Sequence, residues 1–152
     1  MNLKSILLAA SAATLVFASS CKKDDDNNGG GTNRFTVNGT TYTPTSVTRT
    51  STGGLNAITA ISTSGSTSNS VALYFDGALP TSSTTVRVGD EANQMGILAS
   101  FNGNSYYNQE FTNVNATVTV NGGKLTIAVP EVWVVNFSGN DSVKFTANLI
   151  EN

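Results

Sequence analysis

Residues 114–129 have the sequence VNATVTVNGGKLTIAV, in which apolar and polar side chains alternate on both sides of an Asn-Gly pair. An alternation of period two is typical of a β-strand with one buried face. Asn-Gly is a preferred pair in the two-residue turn of a β-hairpin. With Asn121 and Gly122 as the turn, Val118 faces Leu125, and the apolar side chains of both strands share one face. These residues therefore predict an antiparallel hairpin.

The rest of residues 34–152 also follows a strand pattern. A second Asn-Gly pair, Asn38-Gly39, predicts a hairpin in which Phe35 faces Tyr42. No apolar stripe of helical period is present, and Thr and Val dominate between frequent turn residues. Further strands are predicted at residues 46–50, 55–62, 69–76, 84–88, 95–101 and 105–107.

Segments 131–137 and 142–150 predict a third hairpin near the C terminus. A loop of odd length between them places Trp133 opposite Ala147, so the indole is expected in the core. Both faces of the first of these strands carry apolar side chains. We therefore expect this strand in the middle of the sheet, covered on both sides.

About ten short antiparallel strands must fold over one another to bury one face. We predict a single all-β domain, residues 34–152, built as an antiparallel β-sandwich whose strands are joined mostly by hairpins. A small calycin-like meander β-barrel with a ligand lumen is the alternative. Alternation along a strand does not separate the two, because it does not show which strand edges pair.

The composition excludes several kinds of chemistry. The 152-residue chain has 0 His, 1 Cys, 12% charged residues and a formal net charge of −2. Without histidine there is no Ser-His or Cys-His nucleophile pair, and one cysteine allows neither an internal disulfide nor a multi-cysteine zinc site. The acidic balance argues against a nucleic-acid partner, which requires a basic face. We expect no cofactor and no metal.

The first 20 residues are typical of a signal peptide. A positively charged start precedes an apolar run at residues 6–17, and small residues follow up to position 20. The run is shorter than the roughly 20 apolar residues that a membrane-spanning helix needs. We predict that residues 1–20 are removed from the mature chain.

The small residues followed by Cys21 resemble the lipobox of bacterial lipoproteins, although Ala18 stands where that family prefers Leu. In the family, lipoprotein signal peptidase cuts before the cysteine, which then carries a diacylglycerol thioether and usually an N-acyl chain. The resemblance implies lipidation of Cys21, contact with the lipoprotein processing machinery, and attachment to a membrane. An ordinary secretory signal with a free thiol at Cys21 is the other reading of these residues.

The next five residues, Lys22, Lys23, Asp24, Asp25 and Asp26, resemble the export signal behind the lipidated cysteine of surface lipoproteins in Bacteroidota. The resemblance implies export machinery as a partner and a position on the cell surface of the outer membrane. A solvated charge run in a tether is the alternative. Residues 21–33 contain no apolar residue after the cysteine and end in glycines, so they predict a flexible acidic linker. The linker resembles half of an EF-hand loop, but the twelfth position is apolar and a calcium site is not expected.

A segment rich in aromatic and amide side chains is the best candidate for ligand contact; it contains Asn104, Tyr106, Tyr107, Gln109 and Glu110. Adjacent residues of a strand face opposite ways, so one tyrosine is expected in the core and the other at the surface. Sugars are bound by stacking on aromatic faces, with amide and carboxylate groups around them. The segment is therefore a candidate glycan contact, although an ordinary hairpin loop with one core tyrosine is the simpler explanation.

No catalytic residues are predicted, and we expect that the protein is not an enzyme. The carboxylates sit mostly in turns, where Asp is common for local hydrogen bonding. Glu131 is placed either at the rim of a cavity or where its strand leaves the core. The triplet Asp141-Ser142-Val143 resembles the motif on which Bacteroidota O-glycosylate exported proteins, and this resemblance implies a glycan on Ser142.

As a whole, the chain resembles the small β-rich outer-membrane lipoproteins of Bacteroidota, a group with no established activity to transfer. We expect a non-catalytic binding or interaction module on the cell envelope, with exposed aromatic residues clustered on one face and a glycan or another envelope protein as ligand. A calycin-like carrier of a small apolar ligand is the alternative and requires a cavity lined by residues such as Trp133 and Phe145. An envelope hydrolase is a third reading, which requires two carboxylates facing each other across a cleft.

Overall fold

The computed structural model describes residues 32–108 and 111–152. The predicted signal peptide, Cys21 and the charged residues 22–26 lie outside these residues. The described part of the chain contains eleven strands: β1 (Arg34–Val37), β2 (Thr40–Tyr42), β3 (Ser46–Thr52), β4 (Leu55–Ser64), β5 (Thr67–Asp76), β6 (Thr84–Gly89), β7 (Met95–Phe101), β8 (Asn104–Asn108), β9 (Phe111–Asn121), β10 (Lys124–Asn136) and β11 (Ser142–Ile150). The all-β prediction is confirmed, and the predicted strands are present, except that the segments predicted separately at residues 124–129 and 131–137 form one continuous strand, β10. Within the described ranges, no helix is long and apolar enough to cross a membrane.

The strands form one sheet that closes on itself in part. The pairing path is β2-β1-β11-β10-β9-β6-β7-β5-β4-β3, and β8 pairs with both β10 and β7. Strands β6, β9, β10, β8 and β7 therefore make a closed five-strand barrel. The barrel is mixed, because β6 and β7 meet in parallel at the pair Val88 and Met95. Strands β11, β1 and β2 extend the sheet from β10, and β5, β4 and β3 extend it from β7.

This arrangement corrects the expected simple antiparallel sandwich, and it is not the alternative meander barrel either. The physical reason is the length of β10, which spans 13 residues. Its first half pairs with β9 and its last three residues pair with β8, while β11 occupies the other edge. Strands β9 and β8 thus pair with successive parts of the same edge of β10. An alternation of apolar and polar residues does not predict this pairing.

The hairpin at residues 114–129 is present with a register that differs by two residues from the prediction. The turn is Gly122-Gly123, with φ of +58° and +80°, and Val118 pairs with Ile127 rather than with Leu125. Glycine adopts positive φ at lower cost than asparagine, so the Gly-Gly pair takes the turn. A slip of two residues leaves every apolar side chain on the same face. The first hairpin is confirmed as predicted, with Phe35 opposite Tyr42.

The C-terminal hairpin forms, but the predicted core position of Trp133 is wrong. The β10–β11 register shifts between Val129 and Val132, which marks a β-bulge. Because the bulge adds one residue, Val132 points inward, and Trp133 points outward opposite Lys144 instead of Ala147. Trp133 is 50% exposed.

The core runs continuously from the barrel into the extending strands. Five aromatic rings lie at its centre with centroids 5.2–6.4 Å apart: Phe35, Tyr42, Phe101, Tyr106 and Phe145. Phe145 is completely buried on the inner face of β11, whereas Trp133 lies on the outer face of β10. The two residues expected to line a common lumen therefore point to opposite faces of the sheet.

Candidate functional site

Three aromatic side chains, Tyr107, Trp133 and Phe137, lie on the outer face of β8, β10 and β11, which we call the aromatic face. Tyr107 on β8 pairs with Val135 on β10, and Val135 pairs with Ser142 on β11. Directly paired residues share one face of a sheet, as do residues two apart along a strand. The pairing therefore places Tyr107 and Trp133 outside the barrel, and Phe137, which directly follows β10, stacks on Tyr107.

Tyr107 and Phe137 support each other on this face. Their ring centroids lie 4.9 Å apart and the ring planes are inclined by 17°, which is a stacked arrangement. Phe137 is 41% exposed, and Tyr107 is partly buried. Stacked aromatic pairs contribute about 0.5–1.5 kcal/mol beyond their burial. The stack thus gives a rigid apolar surface open to solvent.

Trp133 is held by two charged neighbours. The Nζ atom of Lys144 lies 5.6 Å from the centroid of the indole and 2.7 Å from Oε1 of Glu131. A cation at this distance is attracted to the ring electrons, and the carboxylate neutralises its charge. Glu131, expected at a cavity rim or at a strand exit, belongs to the bulge and is exposed. Lys144, which is paired with Glu131, therefore lies against one side of the indole.

A pocket of about 320 Å³ lies between Trp133 and the β10–β11 loop. We call it the Trp133 pocket; its lining residues are Trp133, Val135, Gly139, Asn140, Asp141 and Ser142. One wall is therefore aromatic and aliphatic, and the opposite wall carries an amide, a carboxylate and a hydroxyl group. Ligand sites commonly combine an apolar surface with a few convergent polar groups.

Asn136 holds the polar wall in place. Its Oδ1 atom accepts hydrogen bonds from the main-chain N–H groups of Asn140 and Asp141, at 3.0 and 3.2 Å. Its own N–H donates to the carbonyl of Asp141, and its carbonyl accepts from Gly139, both at 2.9 Å. Four hydrogen bonds from one residue order the loop before any ligand arrives, which lowers the entropic cost of binding.

Tyr106 fixes the carboxylate of Asp141. The tyrosine ring is buried, and its hydroxyl donates to Oδ2 of Asp141 at 2.8 Å. This hydrogen bond, together with burial and the charge of Asp141, raises the pKa of Tyr106 above its ordinary value. The other carboxylate oxygen of Asp141, Oδ1, accepts no hydrogen bond from the described part of the chain.

The structure brings together only part of the segment predicted to contact a ligand. Tyr106 lies in the core and Tyr107 at the surface, as the alternation predicts. Asn104 is exposed at the start of β8, opposite Phe101, and does not line the Trp133 pocket. Gln109 and Glu110 lie outside the described residues.

The modification sites and the export tag stay predictions. Ser142, the predicted O-glycosylation site, is exposed at the start of β11 and lines the Trp133 pocket. Cys21, the predicted lipidation site, and the tag residues Lys22, Lys23, Asp24, Asp25 and Asp26 lie outside the described residues.

Sequence reasoning missed Trp133 as a surface residue, and with it the pocket. The available signal was Pro130, because proline inside a strand pattern is confined to edges and bulges. Pro130 and Glu131 are both exposed between the buried Val129 and Val132. Two consecutive exposed positions reverse the alternation and so turn Trp133 to the outside.

A second pocket, of about 400 Å³, is lined by Arg49, Thr50, Ser51, Asn56, Ala78 and Leu79. Its cation is already engaged, because Arg49 donates to the Glu151 carboxylate and to the Gly123 carbonyl. Among residues 32–108 and 111–152, no group of three or more His, Cys, Asp or Glu residues is placed to hold a metal ion. The Trp133 pocket is therefore the better candidate site.

Comparison with family models, with curated proteins and with solved structures finds no match to this chain.

Proposed function

We propose that this protein is a lipid-anchored, non-catalytic binding module of the outer membrane that is exposed at the cell surface and holds its ligand on the aromatic face. The observation that carries the proposal is the exposure of two large apolar side chains four residues apart, Trp133, the only tryptophan of the chain, and Phe137. Within the described residues, these two are the large apolar side chains left open to solvent. Aromatic residues grouped at a protein surface commonly mark a binding site.

The geometry of the aromatic face supports binding rather than incomplete packing. Trp133 is fixed by Lys144, Tyr107 is stacked on Phe137, and the loop beside them is tied by Asn136. Side chains that are ordered before a ligand arrives lose little conformational entropy on binding. The ordering described above therefore favours a preformed site.

The N-terminal residues support the membrane attachment. The small residues before Cys21 resemble a lipobox, and a two- or three-chain lipid anchor holds a protein stably, since each buried methylene contributes about 0.8 kcal/mol. The linker at residues 21–33 spans about 40 Å when extended. Such a tether would let the folded domain stand off the lipid surface.

Metabolic labelling tests the anchor. Cells producing the full-length protein are fed radiolabelled palmitate, and the protein is isolated and analysed for the label. We expect label on the wild type and none on Cys21→Ala, which cannot form the thioether. An unlabelled wild type contradicts the anchor. Digestion by a protease added to intact cells tests the surface position, and complete protection of the domain in intact but not lysed cells contradicts it.

Site-specific crosslinking tests the binding face in the anchored protein. A photoreactive benzophenone side chain is introduced at Phe137, and at the exposed Asp76 as a control. Irradiation of cells is expected to give an adduct of higher mass from position 137 that is absent from position 76. The adduct should decrease strongly when Trp133→Ala is added. Equal adducts from both positions, or none from position 137, contradict the proposal.

A further inference from the structure

The two walls of the Trp133 pocket match the two kinds of surface that a sugar ring presents. A pyranose has faces of C–H groups and a rim of hydroxyl groups. The indole and Val135 supply an apolar wall, and Asn140, Asp141 and Ser142 supply the polar one. An aromatic ring combines a large rigid contact area with low loss of conformational freedom. The pocket therefore fits a ligand that is apolar on one side and hydroxylated at its edge.

Asp141 is the group best placed to accept from ligand hydroxyls. Its Oδ2 atom is held by Tyr106 at 2.8 Å, so the carboxylate cannot rotate freely, and Oδ1 has no donor within the described residues. Hydrogen bonds to an ionised carboxylate are stronger than neutral ones. A carboxylate fixed on one oxygen and open on the other favours a hydroxyl-bearing ligand.

The charges around the pocket favour a neutral ligand. Lys144, which lies over the indole, is paired with Glu131 at 2.7 Å. Asp141 remains as a negative charge in the pocket wall itself. An anionic sugar or an anionic lipid headgroup would be repelled by this carboxylate and would find its nearest cation already neutralised.

We infer that the Trp133 pocket binds a neutral sugar unit of a polysaccharide, with the ring stacked on Trp133 and its hydroxyl groups bonded to Asp141. This inference rests on the proposed binding function and adds the class of ligand. The volume of about 320 Å³ is at the small end of ligand sites and fits a site for one or two sugar units rather than a long chain.

The single tryptophan makes the inference directly measurable, because Trp133 is the only indole fluorophore in the chain. The mature lipoprotein is kept in a polyoxyethylene detergent that contains no sugar and is titrated with four soluble neutral polysaccharides: dextran, mannan, laminarin and galactan. Alginate serves as the polyanionic probe. We expect at least one neutral polysaccharide to shift the emission to shorter wavelength and to reduce quenching by acrylamide at least twofold.

Two matched variants locate the binding on the pocket. Asp141→Asn keeps an oxygen that can accept from Tyr106 but removes the charge, and we expect at least tenfold weaker binding with an unchanged thermal midpoint. Asp76→Ala removes an exposed carboxylate elsewhere and should bind as the wild type does. Equal binding by wild type and Asp141→Asn overturns the inference, as does a response to alginate alone or to no polysaccharide.

The crosslinking experiment separates failure of this inference from failure of the proposed function. Proteolytic digestion of the position-137 adduct followed by mass spectrometry identifies the crosslinked ligand, and hexose masses on the position-137 peptide support a sugar ligand. An adduct in which the position-137 peptide carries a peptide of another protein and no sugar overturns the sugar inference and leaves the binding face in place. The absence of both the adduct and the fluorescence response overturns both proposals.

Discussion

Arg49 and Glu151, which lie 102 residues apart in sequence, form a two-pronged ion pair. Nε of Arg49 is 2.5 Å from Oε1 of Glu151, and Nη2 is 2.8 Å from Oε2. The same Oε2 accepts from the main-chain N–H of Leu125 at 2.9 Å, and Nη2 also donates to the Gly123 carbonyl. The pair therefore ties β3, at one end of the strand path, to the first residues of β10 and to the C terminus.

This ion pair predicts a loss of stability in acid. The hydrogen bond from Arg49, with the Leu125 N–H and the charges of Arg49 and Lys124, lowers the pKa of Glu151 below its ordinary value of 4.5. A carboxyl group whose pKa is lowered by folding stabilises the folded state fully at pH values above its unfolded-state pKa. This stabilisation is lost as the pH falls through the folded-state pKa. We expect the thermal midpoint to hold from pH 7 to 5 and to fall below about pH 4.5.

Glu151→Gln should flatten this acid dependence, because the amide does not titrate. Glu91→Gln, at an exposed position in the β6–β7 connection, is the matched control and should keep the wild-type profile. Thermal unfolding followed by circular dichroism between pH 3 and 7 measures both. Identical acid slopes for wild type and Glu151→Gln contradict this reading of the ion pair.

Substitution of Gly96 is predicted to destabilise the protein as long as the aromatic ring of Tyr74 is present. The two residues pair across β5 and β7, and a Cβ at position 96 would lie 1.9 Å from Cζ of Tyr74. Gly96→Ala must displace the ring, and overpacking of this kind costs about 1–3 kcal/mol. Urea denaturation should show this loss in the wild-type background and little of it in Tyr74→Ala. If Gly96→Ala lowers the stability equally in the wild type and in Tyr74→Ala, the loss comes from the backbone of Gly96 and not from the tyrosine ring.

The hydroxyl of Tyr74 is predicted to contribute little to stability. It is buried without a hydrogen-bond partner in the described residues, and burial and the charge of Asp90 raise the pKa of Tyr74. Removing an unsatisfied polar atom relieves a desolvation cost. Tyr74→Phe should therefore unfold at the same urea concentration as the wild type or at a higher one, and clear destabilisation would reveal a partner for the hydroxyl.

The turn between β9 and β10 predicts a loss of stability on substitution of Gly123 and almost none on substitution of Asn121. Gly123 has φ of +80°, and a Cβ there would meet no atom within 4 Å, so the cost of Gly123→Ala comes from the backbone alone. We expect a loss of about 1 kcal/mol. Asn121 is exposed in a strand, and Asn121→Ala should change stability by less than about 0.5 kcal/mol. A larger loss of stability for Asn121→Ala would instead support Asn121-Gly122 as the turn, with the register predicted from the sequence.

Trp133 and Phe145 are predicted to differ sharply in their contributions to stability. Phe145 is 0% exposed, so Phe145→Ala should cost about 3–5 kcal/mol. Trp133 is 50% exposed, and Trp133→Ala should cost about 1 kcal/mol or less, the size of its cation–π contact. Chemical denaturation followed by circular dichroism measures both variants. Equal losses would place the indole in the core.

Much of the local structure was predictable because it depends on contacts between residues close in sequence. The hairpin at Asn38-Gly39 formed in its predicted register, since turn residues and alternation agree there. The candidate site was predictable only in part. Tyr107 was placed at the surface by alternation, whereas Trp133 was misplaced because the bulge after Val129 reverses the alternation.

The sequence by itself determined the all-β class, the positions of the strands and which side chains of most strands face inward. These properties follow from a period of two and from turn residues, which act over a few positions along the chain. Only the tertiary structure decided the closure of β6, β9, β10, β8 and β7 into a barrel and the assembly of the aromatic face. Both depend on which strand edges pair, and the free energy of that choice comes from the burial of one shared core by residues distant in sequence.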